Sequence, residues 1–299
     1  MAGGKALFVG DISLDTTLQL GYIPQPDEKL HVRIDNESAG GVISNAALAC
    51  RLAGGNPVLA IETGDDLFAD SLLASLQQAG IEIVSRKMPG RTCRAIVLIE
   101  PHGEKRLLLE PGVSLYPSLE WVQSLSLAGI EWVHTAIYGE GAGHLIEQAR
   151  RAGCKWSLDL EPATFPEGIA PLYPLLEGAE VVFCNQRALA QLGENPVQKL
   201  LKAGVKAVVS TLGAKGASYA TSTDYAEARY PLTPKLVDTT GAGDCLAGWF
   251  IACLLAGNSA AFSLQEAVFA ATYSCGRAGA QPSYPTRQQL TDFQQASLR

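Results

Sequence analysis

Asp238-Thr239-Thr240-Gly241-Ala242-Gly243-Asp244 runs directly into the apolar stretch Cys245-Leu246-Ala247-Gly248-Trp249-Phe250-Ile251. The pattern predicts a glycine-rich turn that opens a helix, with a carboxylate in its first turn. Unpaired backbone N–H groups and the positive end of the helix dipole converge at such a start, which makes it a ready anion site. Small side chains at Gly241, Ala242 and Gly243 let a phosphate come close to the backbone. Asp244 is expected to be held ionised there, because hydrogen bonds and positive potential both favour its charged form. A base beside an anion cradle suits phosphoryl transfer to a hydroxyl. Two plainer readings use the same residues. A glycine and an aspartate also serve as an ordinary helix cap, and Gly241-Ala242-Gly243 resembles the start of G-x-G-x-x-G. The dinucleotide reading is weak, because Leu246 stands at the third glycine and Pro231-Leu232-Thr233-Pro234-Lys235 is not a central strand.

The elements that must position this turn alternate along the chain. Runs rich in strand formers at Ala6 to Val9, Val58 to Ile61, Trp132 to Ala136, Trp156 to Leu160, Val181 to Cys184 and Ala207 to Ser210 predict buried strands. Helical patterns fall between them, at Ser44 to Ala53, Phe68 to Ala79, His144 to Ala152 and Pro196 to Ala203. Gly54, Gly80, Gly153 and Gly204 follow those helices as left-handed C-terminal caps would. The alternation predicts an α/β fold with a mostly parallel central sheet covered by helices on both faces. Thr17 to Gly21 with Lys29 to Ile34, and Thr92 to Ile99 with Arg106 to Glu110, partly alternate polar and apolar residues and are expected to form a small β lid. The chain is thus read as one domain, 1–299, with lid strands inserted at about 17–37 and 92–110. The apolar face of such a lid must close on substrate or pair with a second subunit, so a homodimer is expected.

Composition narrows the class. Of 299 residues 47% are hydrophobic and 18% charged, an ordinary globular balance with ample material for a core. A formal net charge of −7 without a Lys/Arg run argues against nucleic acid or an anionic membrane surface as partner. Seven scattered cysteines without a C-x-x-C pair read as small buried hydrophobes in a reducing compartment. No cleavable leader is visible before the first strand and no apolar run reaches spanning length, so the cytoplasm is the expected location. The four histidines lack metal-ligand spacing.

The 238–244 segment resembles the C-terminal signature of the ribokinase-like (PfkB) carbohydrate kinases, Asp-Thr-x-Gly-Ala-Gly-Asp. Other landmarks follow in order. Val9-Gly10-Asp11-Ile12-Ser13-Leu14-Asp15 is similar to the family's first strand and its substrate-binding loop. Ala39-Gly40-Gly41-Val42-Ile43-Ser44-Asn45 resembles its Gly-Gly-x-x-x-Asn motif, and Thr63-Gly64-Asp65-Asp66 its next turn. Thr211-Leu212-Gly213-Ala214-Lys215-Gly216 resembles the nucleotide loop, and Gly279-Ala280-Gln281-Pro282-Ser283 the closing segment.

The resemblance implies a Rossmann-like three-layer domain with a β-sheet lid and ATP-dependent phosphorylation of a hydroxyl on a small carbohydrate. It makes Asp244 the base and Gly241, Ala242 and Gly243 the cradle. It assigns sugar binding to Asp15, Gly40, Gly41 and Asn45, with Asp11 beside them, and ATP binding to Asn185, Thr211, Gly213 and Gly216. Gly279 to Ser283 would wrap near the adenine. ATP and Mg²⁺ are the implied cofactors, and Asp238, Thr240, Ser274, Arg277, Gly279 and Ser283 would surround a potassium ion as in some relatives. Two departures stand out. The family's Asn-x-x-Glu appears as Asn185-Gln186-Arg187-Ala188, so either Glu161 or water supplies the missing acceptor, or metal affinity is weak, or catalysis is reduced. Ser13 stands where many ribose-specific members carry Asn. Arg91 and Arg94, at the start of the second lid segment, are candidates to pair with a charged group on the sugar. The alternatives are a nucleoside kinase, for which Tyr138 is a candidate stacking residue, and a catalytically weak sugar-binding or regulatory protein.

Overall fold

The structure is a computed structural model that describes residues 4–100, 105–136, 139–232 and 236–297. Strand β1 (Lys5–Gly10) enters the core, and the chain leaves at once into β2 (Ser13–Gln19) and β3 (Arg33–Gly40). It returns through α1 (Val42–Leu52), β4 (Asn56–Gly64), α2 (Leu67–Gln78) and β5 (Glu82–Met88). A second excursion forms β6 (Cys93–Ile99) and β7 (Lys105–Glu110). Next come α3 (Leu119–Ser124), β8 (Ile130–Thr135), α4 (Gly139–Ala152), β9 (Lys155–Leu160), α5 (Tyr173–Leu176) and β10 (Val181–Asn185). The last part holds α6 (Gln186–Leu192), α7 (Pro196–Lys202), β11 (Val208–Thr211), β12 (Ala217–Ala220), β13 (Tyr225–Ala228), α8 (Ala242–Leu255), α9 (Ala260–Ser274) and α10 (Arg287–Ser297).

Nine strands form the central sheet in the order β13-β12-β11-β10-β9-β8-β1-β4-β5. Pairing is parallel from β11 to β5, and β12 and β13 add an antiparallel edge. Because side chains alternate across a strand, β1 sends Ala6 and Phe8 into one core and Leu7 and Val9 into the other. The first core packs the sheet against α1, α8 and α9 around Ile43, Trp249 and Phe250, and the second against α4 and its neighbours around Leu145 and Ile146. The expected α/β fold with a mostly parallel sheet is what forms. Gly54, Gly80, Gly153 and Gly204 have φ of 86°, 82°, 70° and 92°, the left-handed conformation that stops the preceding helices.

The small sheet is separate, in the order β3-β2-β6-β7. Its strands begin closer to the central sheet than the sequence pattern indicates. Pairing of Ser13 with Gly40 and with Cys93 starts the sheet at its root, so Asp15 lies on β2 rather than in a loop. Of Lys29 to Ile34 only Arg33 and Ile34 are strand, and β3 continues to Gly40. Edge strands β5 and β13 escape the sequence reading because they are half-exposed and lack a continuous apolar run.

Candidate active site

Strands β1, β9, β10 and β11 end along one edge of the central sheet, and α1 and α8 begin there. In open α/β sheets this carboxyl edge is where ligands bind. The two helices lie unusually close. A Cβ on Gly248 of α8 would collide with the Ala46 carbonyl of α1, so glycine at that position lets the helices approach. That approach brings Asn45, in the first turn of α1, to Asp244, in the first turn of α8.

Asp244 does not fold back onto its own helix terminus. Its Oδ2 accepts a hydrogen bond from Asn45 Nδ2 at 2.8 Å. The expectation that Asp244 is held ionised is therefore reversed. Burial pushes its pKa up to about 8, and Glu161, Asp11 and Asp15 add repulsion that the Asn45 hydrogen bond only partly offsets. The cradle glycines differ from each other. Gly241 precedes the helix at φ 72°, and a Cβ there would strike the Tyr284 hydroxyl and Ala280. A Cβ on Gly243 would meet nothing within 4 Å, so its missing side chain leaves open space in front of the helix. The Ala242 N–H turns back to the Thr239 carbonyl at 3.3 Å, while the N–H groups of Gly243 and Asp244 belong to the first turn and have no intrahelical acceptor.

The residues singled out for sugar binding gather around Asp244, with unequal freedom. Asp15 Oδ1 accepts from Ser13 Oγ at 2.6 Å, and burial raises the Asp15 pKa. Gly40 is pressed against that carboxyl, which a Cβ would overlap, and Gly41 adopts φ 103° against the backbone of Asp11 and Ile12. Asn45 is buried and its Oδ1 lacks a partner. Asp11 is committed elsewhere. Its two oxygens accept the Val42 and Ile43 N–H groups, each at 2.9 Å, so it caps α1, and burial raises its pKa to about 6. Asp11 thus fixes the helix start that carries Asn45.

One acid escaped the sequence reading. Asp159, the penultimate residue of β9, faces the same space, and burial together with Glu161, Asp244 and Asp11 holds its carboxyl well above the usual carboxylate range. No hydrogen bond to that carboxyl is formed among the described residues. Its signal in the sequence was a charged residue inside the predicted buried strand Trp156 to Leu160. Glu161 follows on the same strand end, so the site gathers Asp11, Asp15, Asp159, Glu161 and Asp244.

On the nucleotide side the glycines have mixed reasons. Asn185 Oδ1 caps α6 by accepting the Ala188 N–H at 2.9 Å, and Ala188 is fully buried, so a glutamate side chain there would have to leave the core. Thr211 ends β11 with its hydroxyl directed at the Cys184 carbonyl, 3.5 Å away. Gly216, at φ 88°, abuts the Ala228 carbonyl, which explains it as a packing glycine, whereas Gly213, at φ 59°, is uncrowded. The closing segment does not reach outward alone: Gly279 N–H donates to Asp238 Oδ2 at 2.9 Å, and Gln281 Nε2 donates to Ser44 Oγ at 3.3 Å. Within the six-residue cation set, Asp238 Oδ1 accepts the Thr240 N–H and hydroxyl at 3.0 and 2.7 Å. Ser274 and Ser283 donate to carbonyls of their own turns, and Arg277 stacks on Tyr273. Those side chains brace the 238–240 and 274–283 loops.

The lid arginines each have a protein neighbour. Arg94 shares a face with Leu14, opposite the face of Asp15, and its guanidinium lies 4.7 Å from the Phe68 ring, while Arg91 pairs with Glu110 at 3.8 Å. Tyr138 lies outside the described residues. His134 is a core residue, with its Nδ1 2.8 Å from Ser157 Oγ and burial lowering its pKa to about 3.

A carboxylate at a helix start, gathered with Asp11, Asp15, Asp159 and Glu161 at the carboxyl edge of a parallel sheet with a second sheet beside it, defines a phosphotransferase of the ribokinase-like fold. The family model of the pfkB carbohydrate kinases matches residues 5–287, and the chain belongs to that family. An ATP-dependent ribose-1-phosphate kinase of Halopiger xanaduensis is 27% identical over 298 residues, spanning 97% of each chain. A ribokinase of Schizosaccharomyces pombe is 28% identical over 301 residues, spanning 93% of this chain and 94% of its own. Among solved structures, Arabidopsis thaliana ribokinase complexed with ribose and ATP matches with a TM-score of 0.81 at 21% identity, covering 98% of this chain and 99% of that one.

Proposed function

We propose that this carbohydrate kinase transfers the terminal phosphoryl group of ATP to a hydroxyl of a small sugar, with Asp244 taking the hydroxyl proton. The observation that carries the reading is the placement of Asp244. It points out of its own helix terminus into the carboxylate-lined cleft, with a pKa of about 8, close to the working pH that an efficient general base requires. The open space before Gly243 admits the migrating group, and the first-turn amides donate to it as charge builds on its oxygens. Asp15 and the free Oδ1 of Asn45 accept from sugar hydroxyls, with Gly40 and Gly41 letting the backbone pack closely behind the Asp15 carboxyl and the Asp11 turn. Asn185, Thr211, Gly213 and Gly216 line the nucleotide side, the first by holding α6 in place.

The donor set suits Mg²⁺. Asp159 and Glu161 offer hard oxygen ligands, the kind such an ion takes alongside water and substrate phosphates. Asp159 and Glu161 would hold it, and bound there it would neutralise charge on the ATP phosphates. The two carboxylates would supply the acidic ligand that Ala188 does not. A potassium ion between the 238–240 and 274–283 loops would rest on main-chain carbonyls, and rates in potassium against sodium test that part.

The small sheet supports two further readings. It is a lid over the sugar, since Asp15 belongs to it, and its edge strand β7 exposes Leu107, Leu108 and Leu109, a surface suited to a second copy of the chain. Buried free cysteines agree with a reducing cytoplasmic setting.

The decisive experiment is ADP release with Mg·ATP across ketoses, aldoses, sugar phosphates, sugar acids and nucleosides, with Asp244→Asn alongside. Turnover on one class, lost in a folded variant, is the expected result. Silence across the panel, with a sugar still raising the melting temperature, would replace the kinase by a binding protein.

A further inference from the structure

The Tyr284 phenol is almost fully buried, at 5% exposure, and donates to the Gly241 carbonyl at 2.7 Å. Gly241 is the left-handed residue that turns the chain into α8, and its carbonyl also accepts the first helical bond, from Cys245 N–H at 2.9 Å. A peptide plane held at its oxygen cannot rotate, so the Ala242 N–H on its other side stays turned to the Thr239 carbonyl, and the direction of the Gly243 and Asp244 amides that follow is fixed with it. Glycine at 241 has little rotational preference of its own, so the plane is set by the two bonds its carbonyl accepts, one from Cys245 inside the helix and one from the Tyr284 hydroxyl outside it. The contact spans 43 residues.

Tyr284 is itself anchored. It follows the short 3₁₀ turn Gln281–Ser283, which Ser283 Oγ ties to the Ala280 carbonyl at 2.6 Å. That turn reaches the other helix start, because Gln281 Nε2 meets Ser44 Oγ and Ser44 Oγ donates to the Gly40 carbonyl at 2.6 Å. At its beginning, Gly279 N–H is held by Asp238, whose other oxygen fixes Thr240. Residues 279–284 therefore clamp the start of α8 from Asp238 to Gly241 and touch the sugar-side turn at Ser44.

We propose that Tyr284 is a positioning residue for phosphoryl transfer: its hydroxyl locks the Gly241 peptide so that the amides after it already point where charge develops on the migrating group. The inference rests on the kinase reading above. Preorganised donors act on the transition state more than on bound substrate. Loss of the hydroxyl should lower kcat and leave sugar affinity untouched.

The test compares the full-length wild-type enzyme with Tyr284→Phe, which keeps the ring and removes one oxygen. The expected result is a fall in kcat of about tenfold, the size of one net hydrogen bond, with the KM for sugar unchanged. ADP with Mg²⁺ and aluminium fluoride, a mimic of the migrating phosphoryl group, should bind about tenfold more weakly by calorimetry, while ADP alone binds as before. An unchanged kcat in the folded variant overturns the proposal, as does an equal loss of ADP and ADP–aluminium fluoride binding, which would mark a general loosening. If the Phe variant does not fold, 3-fluorotyrosine at 284 keeps the packing and changes donor strength, and an unchanged kcat then overturns it. An inactive wild type would remove the kinase reading itself, and this inference with it.

Discussion

Asn45 Nδ2 donates to Asp244 Oδ2 at 2.8 Å, a bond between two first turns that are 199 residues apart in sequence. It is the stabilising contribution to ionised Asp244 in a setting where burial and three neighbouring carboxylates oppose ionisation. With a pKa of about 8, the group gains its charge as pH rises, so kcat/KM for the sugar should climb from pH 6 and level off above pH 8. Asn45→Leu removes a donor to the charged form and should move that limb upward by about one pH unit. A limb that stays in place would dissociate Asn45 from the proton acceptor.

The same raised pKa has a cost in stability. An unfolded Asp244 loses its proton near pH 4, while the folded one keeps it until about pH 8, so between these limits the folded state binds more protons. Stability from this group therefore falls as pH rises through that window. Asp244→Asn, neutral at every pH, should melt a few degrees above wild type at pH 8 and close to it at pH 5. Equal melting shifts at both pH values would show that the carboxyl is not held protonated.

The sheet was legible because β1, β4 and β8 to β11 are largely buried and read as short runs rich in strand formers between helical patterns. The glycine-rich start of α8 was legible for a local reason, since a turn, a cap and an apolar helix follow one another within a few residues. The charge state of Asp244 was not. It depends on Asn45, Glu161 and Asp11, which tertiary packing delivers, whereas the sequence shows only the helix terminus beside it. The committed Asp11 and the contact of Arg94 with Phe68 were hidden for the same reason: motif position says which residue is near a site, and only the backbone path says which way its side chain is turned.

Gly40 and Gly243 should answer differently to the same change. A Cβ on Gly40 overlaps the Asp15 carboxyl, so Gly40→Ala should raise the KM for sugar at least tenfold and leave the KM for ATP unchanged. Gly243 has free space and sits in a helix, where alanine is favoured by roughly 0.5–1 kcal/mol. Gly243→Ala should therefore raise the melting temperature yet lower kcat, because the space it fills is reserved for the migrating group. A Gly243→Ala enzyme with full kcat would show that this space is not used.

Strand β7 pairs with β6 along one edge, and its residues Leu107, Leu108 and Leu109 are 62%, 56% and 49% exposed. Adjacent residues on a strand face opposite ways, so both faces of the small sheet are apolar at this edge. One face shares its side with Asp15 through the register of Leu109 with Ala95 and of Ala95 with Asp15, and the other carries Leu108 with Ile96. An unpaired apolar edge of this kind is usually covered in the native assembly. Light scattering should give a dimer for the wild type at micromolar concentration and a monomer for Leu108→Glu, since a charge cannot be buried there unpaired. The monomeric variant should also need more sugar to reach half-maximal rate, because the small sheet that carries Asp15 loses its support. A wild type that is monomeric under these conditions would leave closure over the sugar as the use of that apolar surface.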